Sequence, residues 1–460
     1  MHKRNFSFLY QESDKGPVFF LYPSCLLQLP KSHSDPTTSM AKKKAKAEKE
    51  DEKVGGTDII SQLHPNIVTD ILSRLPFNTL FSCRCVCKTW LNLLVDPSFA
   101  QLYHTRADPC IILQPTNKNR QQHLYAVHFD NRNYVRNSIV KFATKTHLGM
   151  GCNVKLSLLD SCNGLILLGK MNRDQVKLDQ LYVCNPITGE FVIVRPGNNL
   201  KSSPVCPCLG FCPKTQVYKV VLLSKKQYGA EVSNNMVTLV YTLGEKGNGL
   251  WKSVNVGDGP DGLLNQPRNT TFLNGIIHWV VRSPNVPQFI YSFDVEDECF
   301  RLVPPPPEFV SPDQTIFSKW KINLGVLEGC LAIVERDKDV YWCFHIWVMK
   351  DYGVQASWTK TCTMDFTMEK LEPLFPVSQI LGSCRNGDIL FTHQGRNLVS
   401  FNPVNPSFKI HRIEKLCNFL IHPYIPNLSS LRDIARGEPL FNATVMIQTE
   451  GGDKHASNKE

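Results

Sequence analysis

The stretch SCNGLILLG, residues 161–169, places an Asn-Gly pair directly before a run of aliphatic residues. An Asn-Gly pair between apolar runs indicates a tight β-turn, because both residues tolerate a positive φ. Related stretches follow as LNGIIHWVV, LEGCLAIVE and RNGDILFTH, with glycines at Gly275, Gly329 and Gly387. Counted from Gly164, successive intervals are 111, 54 and 58 residues, and the first is close to twice the others. The pattern predicts a repeat of about 55 residues, with a further member lacking the glycine near residue 219.

Each unit continues with a second strand pair that carries an aromatic side chain after its turn. These aromatic residues are Phe191, Trp251, Phe300, Trp358 and Phe408. Two hairpins per unit make a four-stranded sheet, and a closed ring of such sheets removes most exposed sheet edges. We therefore predict a β-propeller of five or six blades over residues 108–415. The degenerate first member, CIILQPTNKNRQQHLYAVHFD (110–130), is expected to close the ring against the last.

Residues 58–107 have a different, helical pattern. In LHPNIVTDILSRLP (63–76), Asn66 is the expected N-cap and Pro76 the stop. The apolar spacing continues to the Asp-Pro pair at 96–97, which gives three predicted short helices. The apolar residues on these helices include Ile67, Ile71, Leu72, Leu75, Leu80, Cys83, Cys87, Trp90, Leu93 and Leu94. The predicted fold class is α+β, with a small three-helix module followed by a mainly β, propeller-like domain.

Three cysteines stand close together in LPFNTLFSCRCVCKTW (75–90), at Cys83, Cys85 and Cys87. Zinc sites usually take ligand pairs separated by two to four residues, with a second pair farther on. Alternate positions on a helix also point about 200° apart, so three such thiols do not converge on one ion. The cysteines are therefore predicted to be core or interface residues. The trio in CPCLGFC (206–212) lacks an obvious fourth ligand, and no metal is predicted there either.

The repeat region shows no pattern typical of catalysis or of cofactor binding. The stretch GEKGNG (244–249) lacks the strand-loop-helix setting of a phosphate loop and is interpreted as a hairpin turn. His278 and His345 each lie beside a tryptophan within a predicted strand, which favours hydrogen-bonded core histidines over ligands. No nucleophile elbow or paired-carboxylate signature is found. We predict no catalytic residue, no cofactor and no metal ligand.

Composition and charge predict the compartment of the protein and the kinds of partner it binds. The 460 residues include 17 scattered cysteines and have a net charge of +10 without a dense basic stripe, so we expect a reducing compartment and no nucleic-acid partner. No apolar run is long enough to span a membrane, and no membrane association is expected. The charged residues 1–57, with KKKAK at 42–46, are predicted to be disordered, and residues 416–460 partly so. The expected location is the nucleus, the cytoplasm or both.

The helical module resembles the F-box of plant F-box proteins. The pieces ILSRLP, VCK-W and DPSF occur in the family's order between residues 71 and 99. The resemblance implies a Skp-type adaptor as partner and, through it, a cullin and a RING subunit. The residues predicted to bind the adaptor are Leu63, Pro65, Ile67, Ile71, Leu72, Leu75, Pro76, Leu80, Val86, Cys87, Trp90 and Leu93. Whether Leu72 and Trp90 form the module's own core or its interface stays open at this point, because so small a module uses apolar residues both ways.

The repeats resemble the F-box-associated domain of the same plant proteins, notably in LDSCNGLILL (159–168) and LGFCPKTQVYKVV (209–221). This resemblance implies a non-catalytic substrate receptor of a ubiquitin ligase, whose β domain holds a target protein. The target and the mouth of the ring that binds it are not specified by the sequence. The alternative is a propeller enzyme acting on a small molecule or carbohydrate, with the helices as an oligomerisation element.

Overall fold

A computed structural model describes most of the chain. The described residues are 6–13, 16–23, 63–84, 86–107, 110–115, 123–128, 139–143, 155–172, 175–195, 205–228, 231–244, 251–254, 270–280, 290–309, 322–337, 340, 343–366, 377–384, 386–393, 397–411, 419–442 and 444–448. No helix within these ranges has both the length and the apolar character needed to cross a membrane.

The described residues of the helical module, 63–84 and 86–107, form four helices, where three were predicted. They are α1 (Pro65–Ser73), α2 (Phe77–Cys83), α3 (Lys88–Leu94) and α4 (Pro97–Arg106). The Asp-Pro pair starts a helix as well as ending one: Pro97 fits the first turn, and Asp96 Oδ1 accepts from the Ser98 N–H at 2.8 Å. The N-cap of α1 is His64, whose Nδ1 accepts from the Asn66 N–H at 3.3 Å, so the prediction of Asn66 as the cap is wrong.

The described residues outside the module form six antiparallel sheets, which are the blades of a propeller, and the predicted β-propeller is confirmed. Two strands precede the module: β1 (Phe6–Ser13) and β2 (Gly16–Pro23). Blade 1 contains β3 (Cys110–Pro115), β4 (His123–His128) and β5 (Ile139–Ala143). Blade 2 contains β6 (Lys155–Cys162), β7 (Leu165–Asn172), β8 (Gln175–Cys184) and β9 (Glu190–Val194). Blade 3 contains β10 (Val205–Cys212), β11 (Val217–Tyr228), β12 (Glu231–Thr242) and β13 (Lys252–Val254).

Blades 4 to 6 follow the same plan of two hairpins each. Blade 4 contains β14 (Thr270–Leu273), β15 (Ile276–Val280), β16 (Ile290–Asp294) and β17 (Cys299–Val303). Blade 5 contains β18 (Ile322–Leu327), β19 (Cys330–Arg336), β20 (Cys343–Met349) and β21 (Trp358–Asp365). Blade 6 contains β22 (Val377–Ser383), β23 (Ile389–His393), β24 (Asn397–Asn402) and β25 (Ser407–His411). The first strand of each of blades 2 to 6 is the innermost one, because it contacts the neighbouring blades.

The repeated turn motif connects the first and second strands of each of blades 2 to 6. Asn163 and Gly164 both have positive φ (46° and 85°), as do Asn274 and Gly275 (47° and 86°), which is the conformation of a type I′ turn. In blade 3 the corresponding turn, 213–216, has no glycine and Gln216 takes the positive φ of 58°. The missing repeat member therefore lies where the interval predicted it. Because the blades share one strand direction, these turns lie on one face of the ring.

The C-terminal residues complete the ring instead of trailing from it. They form β26 (Phe419–Tyr424), α5 (Leu431–Ile434), β27 (Leu440–Asn442) and β28 (Thr444–Gln448). Strand β26 pairs with β3 as the innermost strand of blade 1, β27 pairs with β9, and β28 pairs with β5. The predicted domain boundary at 415 is therefore too early, and the segment 416–460 belongs to the propeller at least as far as 448. The first repeat member does close the ring, but through β26.

Residues 6–13 and 16–23, which lie within the stretch predicted to be disordered, form strands. Strand β1 pairs with β2, and β2 pairs with β28 at the outer edge of blade 1. Both stretches, FSFLYQES and GPVFFLYP, are rich in aromatic residues, which favour strands. The charged run itself, 42–53, lies outside the described residues.

Candidate protein-docking surface

The helical module and the propeller share one apolar core. Side chains of the module, including Leu72, Phe77, Leu80, Phe99 and Tyr103, are buried in the same cluster as residues of blades 1 and 2. The propeller side of this cluster contains Ile112, Leu124, Leu158, Ile166, Tyr182, Tyr424 and Leu428. The module is thus packed onto the ring, on the face that carries the first-to-second strand turns. We call this face the module face, and the opposite one the far face.

The predicted adaptor-binding residues divide into three groups by exposure. Leu72 is 0% exposed and Leu80 is 2% exposed. Their side chains form the shared core, which answers the open question about Leu72 as core, whereas contact of Leu72 and Leu80 with an adaptor stays a prediction. The half-buried group, which packs against the edge of that core, is Leu63, Leu75, Trp90 and Leu93. The exposed group is Pro65, Ile67, Ile71, Pro76, Val86 and Cys87.

Three members of the exposed group are large aliphatic residues. Ile67 and Ile71 are 50% and 46% exposed, and Val86 is 62% exposed. The two isoleucines lie four residues apart on α1, so their side chains share one face of that helix. Val95, the C-cap residue of α3, is 38% exposed. It is not among the residues predicted to bind the adaptor, because the predicted apolar pattern ends at the Asp-Pro pair beside it. We call Ile67, Ile71 and Val86 the exposed apolar set.

An ion-pair network borders this set. Asp70 Oδ2 accepts from Arg74 Nε at 3.0 Å, and Oδ1 accepts from Arg106 Nη1 at 2.6 Å. The hydrogen bonds from Arg74 and then Arg106 hold the pKa of Asp70 below its ordinary value. Arg106 Nη1 also donates to Ser73 Oγ at 2.7 Å, so this network ties α1 to α4. The network therefore links α1, which carries Ile67 and Ile71, to α4.

The segment 425–438, here called the strap, fastens the module to the ring. His104 of α4 donates through Nδ1 to the Pro426 carbonyl at 3.2 Å, and its Nε2 contacts the Asn163 side chain. Asn185 Nδ2 donates to the carbonyls of Asn427 and Ser429, both at 2.9 Å. The strap thus crosses the module face from blade 1 to blade 2 and contacts α4 on the way.

A buried carboxylate joins the innermost strands around the axis of the ring. Asp160 of β6 accepts from the Ser161 and Leu209 N–H groups at 2.8 and 2.9 Å and from Thr270 Oγ1 at 3.2 Å. His422 Nδ1 of β26 lies 4.0 Å from Asp160 Oδ1. Burial raises the pKa of Asp160 to about 6 and lowers that of His422 to about 4. Strands of four blades therefore meet at this one side chain.

The cysteines described in the structure form no disulfide with one another. Cys206 and Cys208 lie in an apolar cluster with their sulfur atoms 3.7 Å apart, and Cys87 accepts from the Trp90 N–H as the N-cap of α3. Cys85 lies outside the described residues. His278 is a buried, hydrogen-bonded core histidine, as predicted: Nδ1 donates to the Thr271 carbonyl (3.1 Å) and Tyr352 donates to Nε2 (2.7 Å). Burial lowers the pKa of His278 to about 4.

His345 differs from His278 because it has two potential metal ligands beside it. The ligand atoms of Asp337, Cys343 and His345 all lie within 4.8 Å of one another. Sequence reasoning missed this group, since it treated YWCFHIW as an apolar strand and did not connect it with Asp337. The signal was the Cys-x-His spacing, which puts both side chains on one face of a strand.

Comparison with known families agrees with the architecture. The model of the F-box domain matches residues 60–102, and that of the F-box associated beta propeller domain matches residues 112–418. The chain therefore belongs to the F-box proteins that carry an associated β-propeller domain.

Similar proteins include several from Arabidopsis thaliana. F-box protein At3g07870 is 26% identical over 77% of this chain and 88% of its own length. F-box/kelch-repeat protein At3g23880 is 25% identical over 67% of this chain and 81% of its own length. Among solved structures, YCF48 bound to D1 peptide aligns with 76% of this chain and 95% of that chain, at a TM-score of 0.36 and 8% identity.

Proposed function

We propose that the protein is the substrate-receptor subunit of a Skp-cullin-F-box ubiquitin ligase. In this role the helical module binds a Skp-type adaptor, which connects it to cullin and RING subunits, and the propeller holds a target protein. The F-box and its associated propeller, shared with the Arabidopsis F-box proteins, support a receptor in preference to a propeller enzyme. The described cysteines form no disulfide, which fits a reducing compartment, and we propose the nucleus or the cytoplasm as the location.

The observation that carries the proposal is the exposed apolar set on a module whose core side chains, such as Leu72 and Leu80, are already buried against the propeller. Ile67 and Ile71 are each about half exposed although the core is within reach of the same helix. Burial of an aliphatic side chain in a partner contributes about 1.5–3 kcal/mol, so the exposed halves of these two side chains together contribute about 2 kcal/mol to binding. A surface of this kind is typical of a docking site.

The arrangement of the two domains fits delivery of a target. The strap and the shared core hold the module on the module face, so the module does not occupy the far face, which we propose as the side that receives the target. A ligase of this type accelerates lysine modification by raising the local concentration of the target near the charged enzyme. A receptor needs two docking surfaces at a fixed separation for this task, and no acid-base chemistry of its own.

The test is adaptor binding by a chain with Ile67→Ser and Ile71→Ser together. We expect affinity for a purified Skp-type adaptor to fall at least about tenfold, because about 2 kcal/mol of apolar burial is lost. Titration calorimetry measures the affinity, and a thermal melt checks that the fold is intact, as both side chains are exposed.

The matched control is Val404→Ser, which removes an apolar side chain that is 84% exposed on the propeller. This variant should bind the adaptor as well as the unmodified chain does. Unchanged affinity of the double isoleucine variant, or no binding by the unmodified chain, would contradict the proposal.

A further inference from the structure

The group Asp337, Cys343 and His345 lies at the connection between β19 and β20 in blade 5. This connection joins the second and third strands, so it lies on the far face of the ring, away from the helical module. Cys343 and His345 are two residues apart on β20 and their side chains point to the same side of the sheet. Asp337 follows β19 and returns to them, since its N–H donates to the Cys343 carbonyl at 2.8 Å.

The surrounding hydrogen bonds hold these ligands in place. Val340 N–H donates to Asp337 Oδ1 at 2.8 Å, which leaves Oδ2 directed at His345 Nε2, 2.8 Å away. Thr363 Oγ1 of β21 lies 3.0 Å from the other ring nitrogen of His345, Nδ1. A histidine that binds a metal through Nε2 usually donates its Nδ1–H to such an oxygen, which orients the ring and raises its basicity. Thr363 is placed for that role.

The ligand types select the kind of metal. Thiolate, imidazole and carboxylate together suit zinc, whereas calcium and magnesium prefer oxygen ligands alone. An aspartate and a thiolate would balance the two charges of the ion. Three protein ligands leave the fourth tetrahedral position for water or for Asp365, which stands directly opposite Cys343 in the register of β20 and β21.

We propose that Asp337, Cys343 and His345 bind a zinc ion at the far face of blade 5. Binding displaces the proton of the Cys343 thiol to solvent and replaces the direct Asp337–His345 contact by bonds of both groups to the ion. The ion would join the start of β20 to the end of β19, and so fasten the connection between them. The proposal does not depend on the role of the chain in a ubiquitin ligase.

Cobalt is the probe, because a thiolate bound to Co²⁺ gives an intense near-ultraviolet charge-transfer band. The full chain is treated with a chelator, desalted with a non-thiol reductant and titrated with Co²⁺ and then with Zn²⁺. We expect a thiolate band that saturates at one equivalent of Co²⁺ and disappears when Zn²⁺ is added. Cys343→Ser should abolish the band, and His345→Gln should weaken Zn²⁺ binding at least tenfold in competition with a chromophoric chelator.

Cys330→Ser is the matched control, since Cys330 is a half-buried cysteine on β19 of the same blade but outside the group. The band should persist in this variant. Circular dichroism of each metal-free variant checks its fold. If Cys343→Ser does not fold, the unmodified chain still decides, because absence of a thiolate band there overturns the proposal. A band that persists in folded Cys343→Ser, or one lost equally in Cys330→Ser, also overturns it.

Discussion

At the scale of single residues, Gly164 shows why the repeat motif needs glycine in one blade more than in another. Its φ is +85°, and a Cβ there would lie 2.1 Å from Asn427 Cβ and 3.0 Å from the Ile425 carbonyl oxygen. Gly387 occupies the same turn in blade 6 with a φ of +84°, but no atom lies within 4 Å of the position of its Cβ. Backbone conformation constrains both glycines, whereas contact with the strap constrains Gly164 alone.

We therefore expect Gly164→Ala and Gly387→Ala to differ in stability. Alanine at Gly387 should cost about 1–2 kcal/mol, the penalty of a left-handed conformation. Alanine at Gly164 adds a steric clash with the strap, which raises the total to about 2–5 kcal/mol. Urea denaturation followed by circular dichroism measures both values. Equal destabilisation of the two variants would show that the strap does not pack against this turn.

At the same scale, burial within the module is the part of the site that the sequence could not predict. The helical spacing correctly marked Leu72 and Ile71 as apolar positions of one helix. Spacing alone does not show which of two adjacent apolar residues on a helix is buried. In the structure Leu72 is fully buried, whereas Ile71 is 46% exposed. The separation depends on where the propeller contacts α1, which is information from distant parts of the chain. The Asp337 group was missed for the same reason, since β19 and β20 had to be paired first.

At the scale of elements, strand β26 closes the ring across the length of the chain. Phe419 pairs with Pro115 and Tyr424 with Cys110, so residues about 300 positions apart are direct partners. The turn-and-strand repeats were predictable, because each hairpin is specified by a few neighbouring residues. The closing strand carries no turn motif and pairs non-locally, and the prediction accordingly ended the domain at 415.

Removal of the closing strand should abolish folding of the ring. A chain ending at residue 418 lacks β26. Its absence exposes the edge of β3, and it also uncovers the part of the core where Tyr424 packs with Ile112 and with residues of blade 2. We expect aggregation, or loss of the cooperative thermal transition in circular dichroism. A chain ending at residue 449 keeps β28 and should melt like the unmodified protein. A cooperative transition at an unchanged temperature in the shorter chain would contradict this assignment of β26.

At the scale of the whole molecule, Asp160 links the closed ring to pH. Its carboxylate contacts β10 and β14 and faces His422 of β26, so its protonation state affects four blades together. Burial raises its pKa from 3.8 to about 6, so the folded protein keeps this proton at pH values where the unfolded chain has lost it. The resulting stabilisation is complete below about pH 4 and is lost as the pH rises through 6.

Comparison with Asp160→Asn isolates this contribution. Relative to the variant, the unmodified protein should lose about 3 kcal/mol of unfolding free energy between pH 4 and pH 7. His422 and the other titrating groups are common to both proteins, so their effects largely cancel in the difference. Urea titrations at several pH values give the two curves. Parallel curves would show that Asp160 is ionised in the folded ring throughout.

The closing strand also has a consequence for how the protein is made. During synthesis the helical module and strands β3 to β25 leave the ribosome before β26 does. The nascent ring therefore stays open until translation is almost complete. Side chains that are buried in the folded protein, such as Ile112 and Leu124, then lack their packing partners from the C-terminal segment for most of that time. We expect the growing polypeptide to engage cellular chaperones until its last segment emerges, and premature stop codons well beyond the middle of the gene to be as damaging as early ones.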